Sequence, residues 1–183
     1  MNRRALLLAG ASAAWFTLTG HSPYRKFHIY RKTRLIVMAA NEDKRAAQIA
    51  DELADFFAKT WKESQAVSGR AQTAPDLVQL LITNQLDIAV ISLSEARDAR
   101  EGKGRHRRTG PQPLCSMGKF GEHLLITREN LLAPIAEKIL EPMTTQWQLI
   151  SKPVAQSATG PFSDEISAIP LHAVALTYSK KGG

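Results

Sequence analysis

The chain has 183 residues, of which 44% are hydrophobic and 22% are charged, a composition typical of one globular domain. Its net charge of +7 is concentrated: the pair Arg3 and Arg4, residues 24–34 and residues 97–108 together carry +11, so the rest carries −4. A nucleic-acid partner is therefore not expected, because no basic surface spreads over the fold. The single cysteine, Cys115, excludes an internal disulfide and is interpreted as a buried apolar residue.

Residues 1–20 predict an export signal or an N-terminal membrane anchor. Arg3 and Arg4 precede an uncharged stretch, and adjacent arginines before a short apolar region are typical of twin-arginine export. As a helix, this stretch would rise about 22 Å, less than the hydrocarbon core of about 30 Å. We therefore predict a periplasmic protein. Whether the segment is cleaved or stays as an anchor in the inner membrane is left open.

Residues 21–33 form a basic and aromatic linker. Aromatic rings beside bases suit the headgroup region of an anionic membrane. An ordinary linker that leads into the first strand explains the same residues. The candidate contacts to a partner or a membrane are Arg25, Lys26, Arg31 and Lys32.

Residues 34–183 predict a single α/β lobe. Apolar runs over 34–40, 66–71 and 86–93 indicate strands, and two extended pieces follow between 114 and 127. Amphipathic helices alternate with the strands, and we expect Asn41 to cap the first helix and Thr73 the second. The predicted fold is a mainly parallel sheet flanked by helices, with right-handed crossovers. A last short helix is predicted from Pro170 to Tyr178.

The ends of the first three predicted strands define the candidate ligand site. In open α/β sheets, ligands bind outside the carboxyl ends of the strands. Asn41, Thr73 and Ser92 occupy those positions, and we expect any ligand to lie near them.

Chemical motifs are lacking. The chain has no glycine-rich phosphate loop, GxSxG or HExxH motif, and its histidines show no metal-ligand spacing. We predict no catalytic residues, no metal and no cofactor, with an enzyme of unrecognised site as a minor alternative. Asp87 is interpreted as capping a turn, His106 as a ring among arginines, and His123 and His172 as structural residues.

A basic segment spans residues 97–108, with six bases and two acids. Glycines interrupt it, so we expect it to be mobile until an acidic partner orders it. Its candidate contact residues are Arg105, Arg107 and Arg108. A solvated loop that only aids solubility is the alternative.

Three stretches resemble a family of bacterial extracytoplasmic solute receptors, the TAXI type that serves TRAP transporters. Residues 77–93 (LVQLLITNQLDIAVISL) are similar to its helix that feeds a buried strand, with the match carried by 85–89. Residues 120–128 (FGEHLLITR) resemble its strand leading back through the hinge, and residues 169–178 (IPLHAVALTY) resemble its C-terminal helix. The resemblance covers roughly residues 34–140 and 168–181. It implies a periplasmic-binding-protein-like fold and capture of a small carboxylate or amino acid.

The chain departs from that pattern in two ways. Residues 141–168 leave no room for the second lobe that closes on a ligand. Where the family has a glycine-rich turn after its first strand, this chain has Ala39-Ala40-Asn41-Glu42, and the added acid would repel an anionic ligand. We therefore expect an accessory protein that contacts a transporter or periplasmic enzyme complex. A genuine TRAP-type receptor that completes its cleft by dimerising stays open as the alternative.

Overall fold

A computed structural model describes residues 34–146, 149–150 and 169–179. The export segment 1–20, the linker 21–33 and the loop predicted over 151–168 lie outside the described residues. The strands are β1 (Ile36–Ala40), β2 (Val67–Ala71), β3 (Ile88–Ser92), β4 (Leu114–Phe120) and β5 (His123–Arg128). The helices are α1 (Lys44–Thr60), α2 (Ala74–Ile82), α3 (Leu93–Glu101), α4 (Ala133–Thr145) and α5 (Ala173–Ser179), with short 3₁₀ turns at Lys62–Ser64 and Gly104–His106.

The five strands form one sheet in the order β2-β1-β3-β5-β4. β1 pairs in parallel with β2 and β3, whereas β5 is antiparallel to both β3 and β4. Four strands therefore share one direction and β5 runs against them. The predicted α/β lobe with a mainly parallel sheet is confirmed. β5 is the antiparallel strand, because the two residues Gly121 and Glu122 can join only antiparallel neighbours.

Helix α1 supplies much of the core on one face of the sheet. Its apolar residues recur at helical spacing and pack beneath β1 and β3, as the sequence predicts. The fully buried β3 residues explain the almost continuous apolar run in the sequence, since both faces of this strand are covered. The buried residues of α1 are Ala46, Ile49, Ala50, Leu53, Ala54, Phe56 and Phe57.

The predicted last helix begins later than expected. Residues Pro170 and His172 instead run beside the outer strand, where Ser116 N donates to Pro170 O at 2.8 Å and His172 N donates to Ser116 O at 2.9 Å. This extended contact uses the backbone groups that a helix start would need, so α5 begins at Ala173. It also covers part of the open edge of β4.

Candidate functional site at the carboxyl edge

The structure brings the three predicted ligand residues to one edge of the sheet, here called the carboxyl edge. Asn41 follows β1, Thr73 lies two residues after β2, and Ser92 is the last residue of β3. Because these strands are parallel and β1 lies between the other two, all three residues stand where helices α1, α2 and α3 begin.

The hydroxyls of Thr73 and Ser92 are engaged in capping helices. Thr73 Oγ1 accepts from Asp76 N and Ser92 Oγ accepts from Glu95 N, both at 3.3 Å. These bonds satisfy N–H groups that the first turn of a helix leaves without a partner. Both hydroxyls therefore already serve as helix caps.

Asn41 does not cap α1 as predicted. Asp43 does so, since its Oδ1 accepts from Ala46 N at 2.9 Å. The chain turns first after β1, where Asp43 N donates to Ala40 O at 3.2 Å, and this turn shifts the helix start by two residues. Asn41 is left exposed, with its backbone N–H donating to Ala71 O at 2.8 Å.

Glu42 occupies the N-terminus of α2. Its Oε1 accepts from Ala74 N at 3.1 Å and lies 2.6 Å from Arg105 Nη1. An anion at this position is favoured because the first N–H groups and the helix dipole both present positive charge. The Ala74 N–H bond, followed by the Arg105 guanidinium, holds the pKa of Glu42 below its ordinary value.

Arg105 also reaches α3, which extends the contact into a chain of four side chains. Its Nη2 lies 3.1 Å from Glu95 Oε2, and Glu95 Oε1 accepts from His106 Nε2 at 2.8 Å. The bonds to Glu95 and then Glu42 raise the pKa of Arg105. We call Glu42, Arg105, Glu95 and His106 the edge network.

His106 is the buried end of the edge network. Its side chain is fully buried, and its Nδ1 has no hydrogen-bond partner among the described residues. Because a carboxylate only accepts, Nε2 carries the proton toward Glu95. His106 was interpreted as a ring among arginines, but its contact is with a carboxylate and it anchors the basic segment to α3.

A second pair joins β5 to the start of α1. His123 Nε2 lies 3.1 Å from Asp43 Oδ2, and His123 stands opposite Ser92 in the antiparallel pairing. This contact agrees with the structural role expected for His123. It also adds a third carboxylate to the carboxyl edge beside those of Glu42 and Glu95.

The charges at this edge do not suit an anionic ligand. Three carboxylates, those of Glu42, Asp43 and Glu95, lie here. Arg105 pairs with Glu42 and Glu95, and His123 contacts Asp43, so every one of these groups already has a partner in the chain. Across the described ranges, no group of three or more His, Cys, Asp or Glu side chains is placed to hold a metal ion.

At the opposite edge of the sheet, Asp87 and Arg128 form a pair. Arg128 Nη1 donates to Leu86 O at 2.8 Å and Nη2 donates to Asp87 Oδ1 at 3.1 Å. Asp87 was predicted to cap a turn, but its carboxylate instead pairs with this buried arginine of β5. The pair links the start of β3 to the end of β5 and is structural.

Two other features lie away from the carboxyl edge. Burial raises the pKa of the Cys115 thiol, in keeping with an unreactive apolar residue. A hollow of about 340 Å³ lies where α1 ends against α4, lined by Trp61, Lys138 and Pro142 among others. Lys138 Nζ lies 6.0 Å from the centre of the Trp61 ring there.

The basic segment is structured, contrary to the expectation that a partner must order it. All three candidate arginines are exposed, but only Arg105 is bound within the edge network; Arg107 and Arg108 are not part of it. Of the other candidate contact residues, Arg25, Lys26, Arg31 and Lys32 lie outside the described residues.

Comparison with known proteins assigns no family: no family model and no curated protein matches this sequence. In the ranges 34–146 and 169–179, no helix has the length and apolar character needed to cross a membrane.

Sequence reasoning missed Glu95 and the pairing of Glu42 with Arg105. Glu95 carried a local signal, since Ser92 and Glu95 have the S-x-x-E spacing of a capping box. The Glu42–Arg105 pair carried none, because its members are far apart in the chain and meet only through the sheet order.

Proposed function

We propose that this chain is an exported, non-catalytic accessory protein that works at the periplasmic face of the inner membrane. Its fold would be that of one lobe of a TAXI-type solute receptor, and its partner would be a transporter or a periplasmic enzyme complex. The export part of the proposal is supported by the twin-arginine layout of residues 1–20.

One observation carries the choice of accessory role over solute capture. The Glu42 carboxylate sits on the first N–H of α2 and on Arg105, which is where a carboxylate ligand at this edge would bind. A small anionic ligand would have to displace Glu42 and approach Asp43 and Glu95 as well. That competition favours a surface that contacts another protein rather than a solute pocket.

The sheet topology supports the same choice. The resemblance places the return from a second lobe at residues 120–128, and here Gly121 and Glu122 connect β4 directly to β5. One lobe covers only one side of a ligand, whereas small-molecule sites usually enclose most of it. A single lobe of this kind would therefore bind solutes weakly.

The receptor alternative retains one favourable observation, the placement of Arg105 beside a helix N-terminus at the ligand edge. If two copies closed on each other, this arginine could face a carboxylate. Titration calorimetry with acetate, succinate and glutamate distinguishes the two functions when it is combined with light scattering to fix the oligomeric state.

For the accessory protein, we expect the monomer to bind these carboxylates no tighter than about 1 mM, or about 4 kcal/mol. Micromolar binding by a proven monomer would refute the proposal. Micromolar binding that appears only as the chain dimerises would establish the receptor alternative. A Glu42→Ala variant provides the internal control, because carboxylates should bind it more tightly than the wild type if Glu42 fills their place.

A further inference from the structure

Some basic side chains of the segment 97–108 interact with other described residues of the lobe, and others do not. Arg97, on the exposed face of α3, interacts electrostatically with Glu101. Arg100 Nη1 donates to Leu114 O at 2.6 Å, Lys103 pairs with Glu101, and Arg105 belongs to the edge network. Arg107 and Arg108 are exposed and make no hydrogen bond or ion pair with any described residue. We call these two residues the arginine turn.

The two residues that precede the arginine turn fix its position. His106 is fully buried and bonded to Glu95, so the backbone immediately preceding Arg107 is fixed against α3. Arg105, on the other side of His106, is bonded to Glu42 and Glu95. Two consecutive residues therefore attach the segment to the body of the lobe.

Hydrogen bonds from the residues after Arg108 close the turn. Thr109 Oγ1 donates to His106 O at 2.9 Å, and Gly110 N donates to the same oxygen at 3.0 Å. Gln112, itself buried, donates from Nε2 to Thr109 O at 2.7 Å and to Gly110 O at 3.0 Å. Arg107 and Arg108 thus project from a closed loop.

The two ends of this loop touch at Gly102. Its φ is +65°, and an added Cβ would lie 2.6 Å from Pro111 N and 2.7 Å from Gly110 C. Only glycine fits both that conformation and that contact. The segment therefore leaves α3 and returns to β4 through a tight neck, which fixes where the arginine turn stands.

We propose that the arginine turn is a preorganised contact site for a carboxylate-rich segment of a protein partner. This inference rests on the proposed accessory function and names the chemistry of its partner. Guanidinium groups bind carboxylates through two parallel N–H···O bonds. Because the backbone is already fixed, binding loses less conformational entropy than it would for a flexible basic tail.

The observations favour a protein over a lipid surface. The exposed large apolar residues of the described chain are Leu132, Leu149 and Leu176, and none belongs to this segment. Binding to a membrane surface grows with buried apolar area, and each arginine alone adds only about fivefold near an anionic surface. A carboxylate-rich peptide needs no buried apolar area to pair with guanidinium groups, so this segment suits a protein better than a lipid surface.

The test uses the full chain and a fluorescein-labelled peptide rich in glutamate, followed by fluorescence anisotropy at low salt. Replacing both arginines (Arg107→Ser with Arg108→Ser) should weaken peptide binding at least tenfold. The matched control, Lys59→Ser with Lys62→Ser, removes two exposed charges from the last turn of α1 and the 3₁₀ turn after it, and should change binding less than twofold. A double arginine-to-lysine variant should lose at least threefold, because lysine keeps the charge but not the planar fork.

Several results would overturn the inference. Equal losses from the arginine and lysine pairs, or full binding by the arginine-to-lysine variant, would show general charge attraction. No loss from the arginine pair would show that the arginine turn is not a contact site. Vesicles of phosphatidylglycerol and phosphatidylcholine should lose no more binding from the arginine pair than from the lysine pair, because each removes two charges. A larger loss from the arginine pair on vesicles, with no loss on the peptide, would identify a membrane contact instead. Unchanged melting temperatures ensure that folding is not the cause. The calorimetric test of small carboxylates is separate, so the accessory function can fail while the arginine turn still binds the peptide.

Discussion

Glu42 and Arg105 form an ion pair of 2.6 Å that ties the loop after β1 to the basic segment. The same Glu42 oxygen accepts from Ala74 N, so one carboxylate connects the starts of two crossovers. Since both charged side chains are well exposed, solvent screens the pair and its strength is that of a surface contact. Glu42 stabilises the fold through two contacts together, the ion pair with Arg105 and the hydrogen bond at the N-terminus of α2.

Replacing Glu42 by alanine should lower the free energy of unfolding by about 1 kcal/mol, from the loss of a helix N-terminal charge and an exposed pair. Urea denaturation measures the change. Glutamine at this position keeps an acceptor for Ala74 N and should lose about half as much. Glu137→Ala, an exposed site on α4, is the control; an equal loss there would show that Glu42 has no special role.

The Asp87–Arg128 pair provides a prediction at the opposite edge. Asp87→Ala should cost about 1–3 kcal/mol, because it leaves the buried Arg128 guanidinium short of one acceptor. The double replacement of Asp87 and Arg128 by alanine should cost less than the sum of the single changes, by about 0.5–3 kcal/mol. Additive losses in urea denaturation would mean that the two side chains do not depend on each other.

Most elements of the fold could be predicted because their signals are local. The apolar run before Ser92 identifies β3, and the threonine, proline and aspartate at residues 73, 75 and 76 identify the start of α2. The helix of residues 44–60 follows from apolar spacing alone. Such patterns involve neighbours within one turn or one strand, so they need no knowledge of the sheet order.

The errors arose where distant residues decide the outcome. Asp87 pairs with Arg128 of β5, and Arg105 pairs with Glu42 beyond β1. Neither partner can be chosen from spacing along the chain. The prediction of the α1 cap failed for another reason: Asn41 and Asp43 are both favourable cap residues, and only the turn geometry after β1 selects Asp43.

Export should depend on the arginine pair at residues 3 and 4. Replacing both by lysine retains the charge of the segment but removes the twin-arginine feature, so a cytoplasmic precursor should accumulate. Cell fractionation of an epitope-tagged chain measures this. The matched control is Arg25→Lys in the linker, which should leave delivery unchanged. If the doubly substituted chain still reached the periplasm, the twin-arginine route would be wrong.

His172 should make the stability of the lobe sensitive to mild acid. The ring is buried between β4 and the start of α5, and this burial lowers its pKa despite a bond to the Leu131 backbone. Val174 N donates to its Nδ1 at 3.4 Å, so the folded protein holds a neutral ring that accepts at this nitrogen. Protonation there would remove the acceptor and place a charge in the core.

The sign of the effect follows from the lowered pKa. An unfolded histidine titrates near 6.5, and above that value the ring is neutral in both states, so the stabilisation is fully present. As the pH falls below about 6.5, the unfolded state takes up the proton first and stability decreases, by at most about 1.4 kcal/mol per pH unit. Between pH 7.5 and pH 5.5, the melting temperature of the wild type should therefore decrease more than that of the His172→Gln variant. Equal decreases in the two proteins would assign the acid sensitivity to other groups.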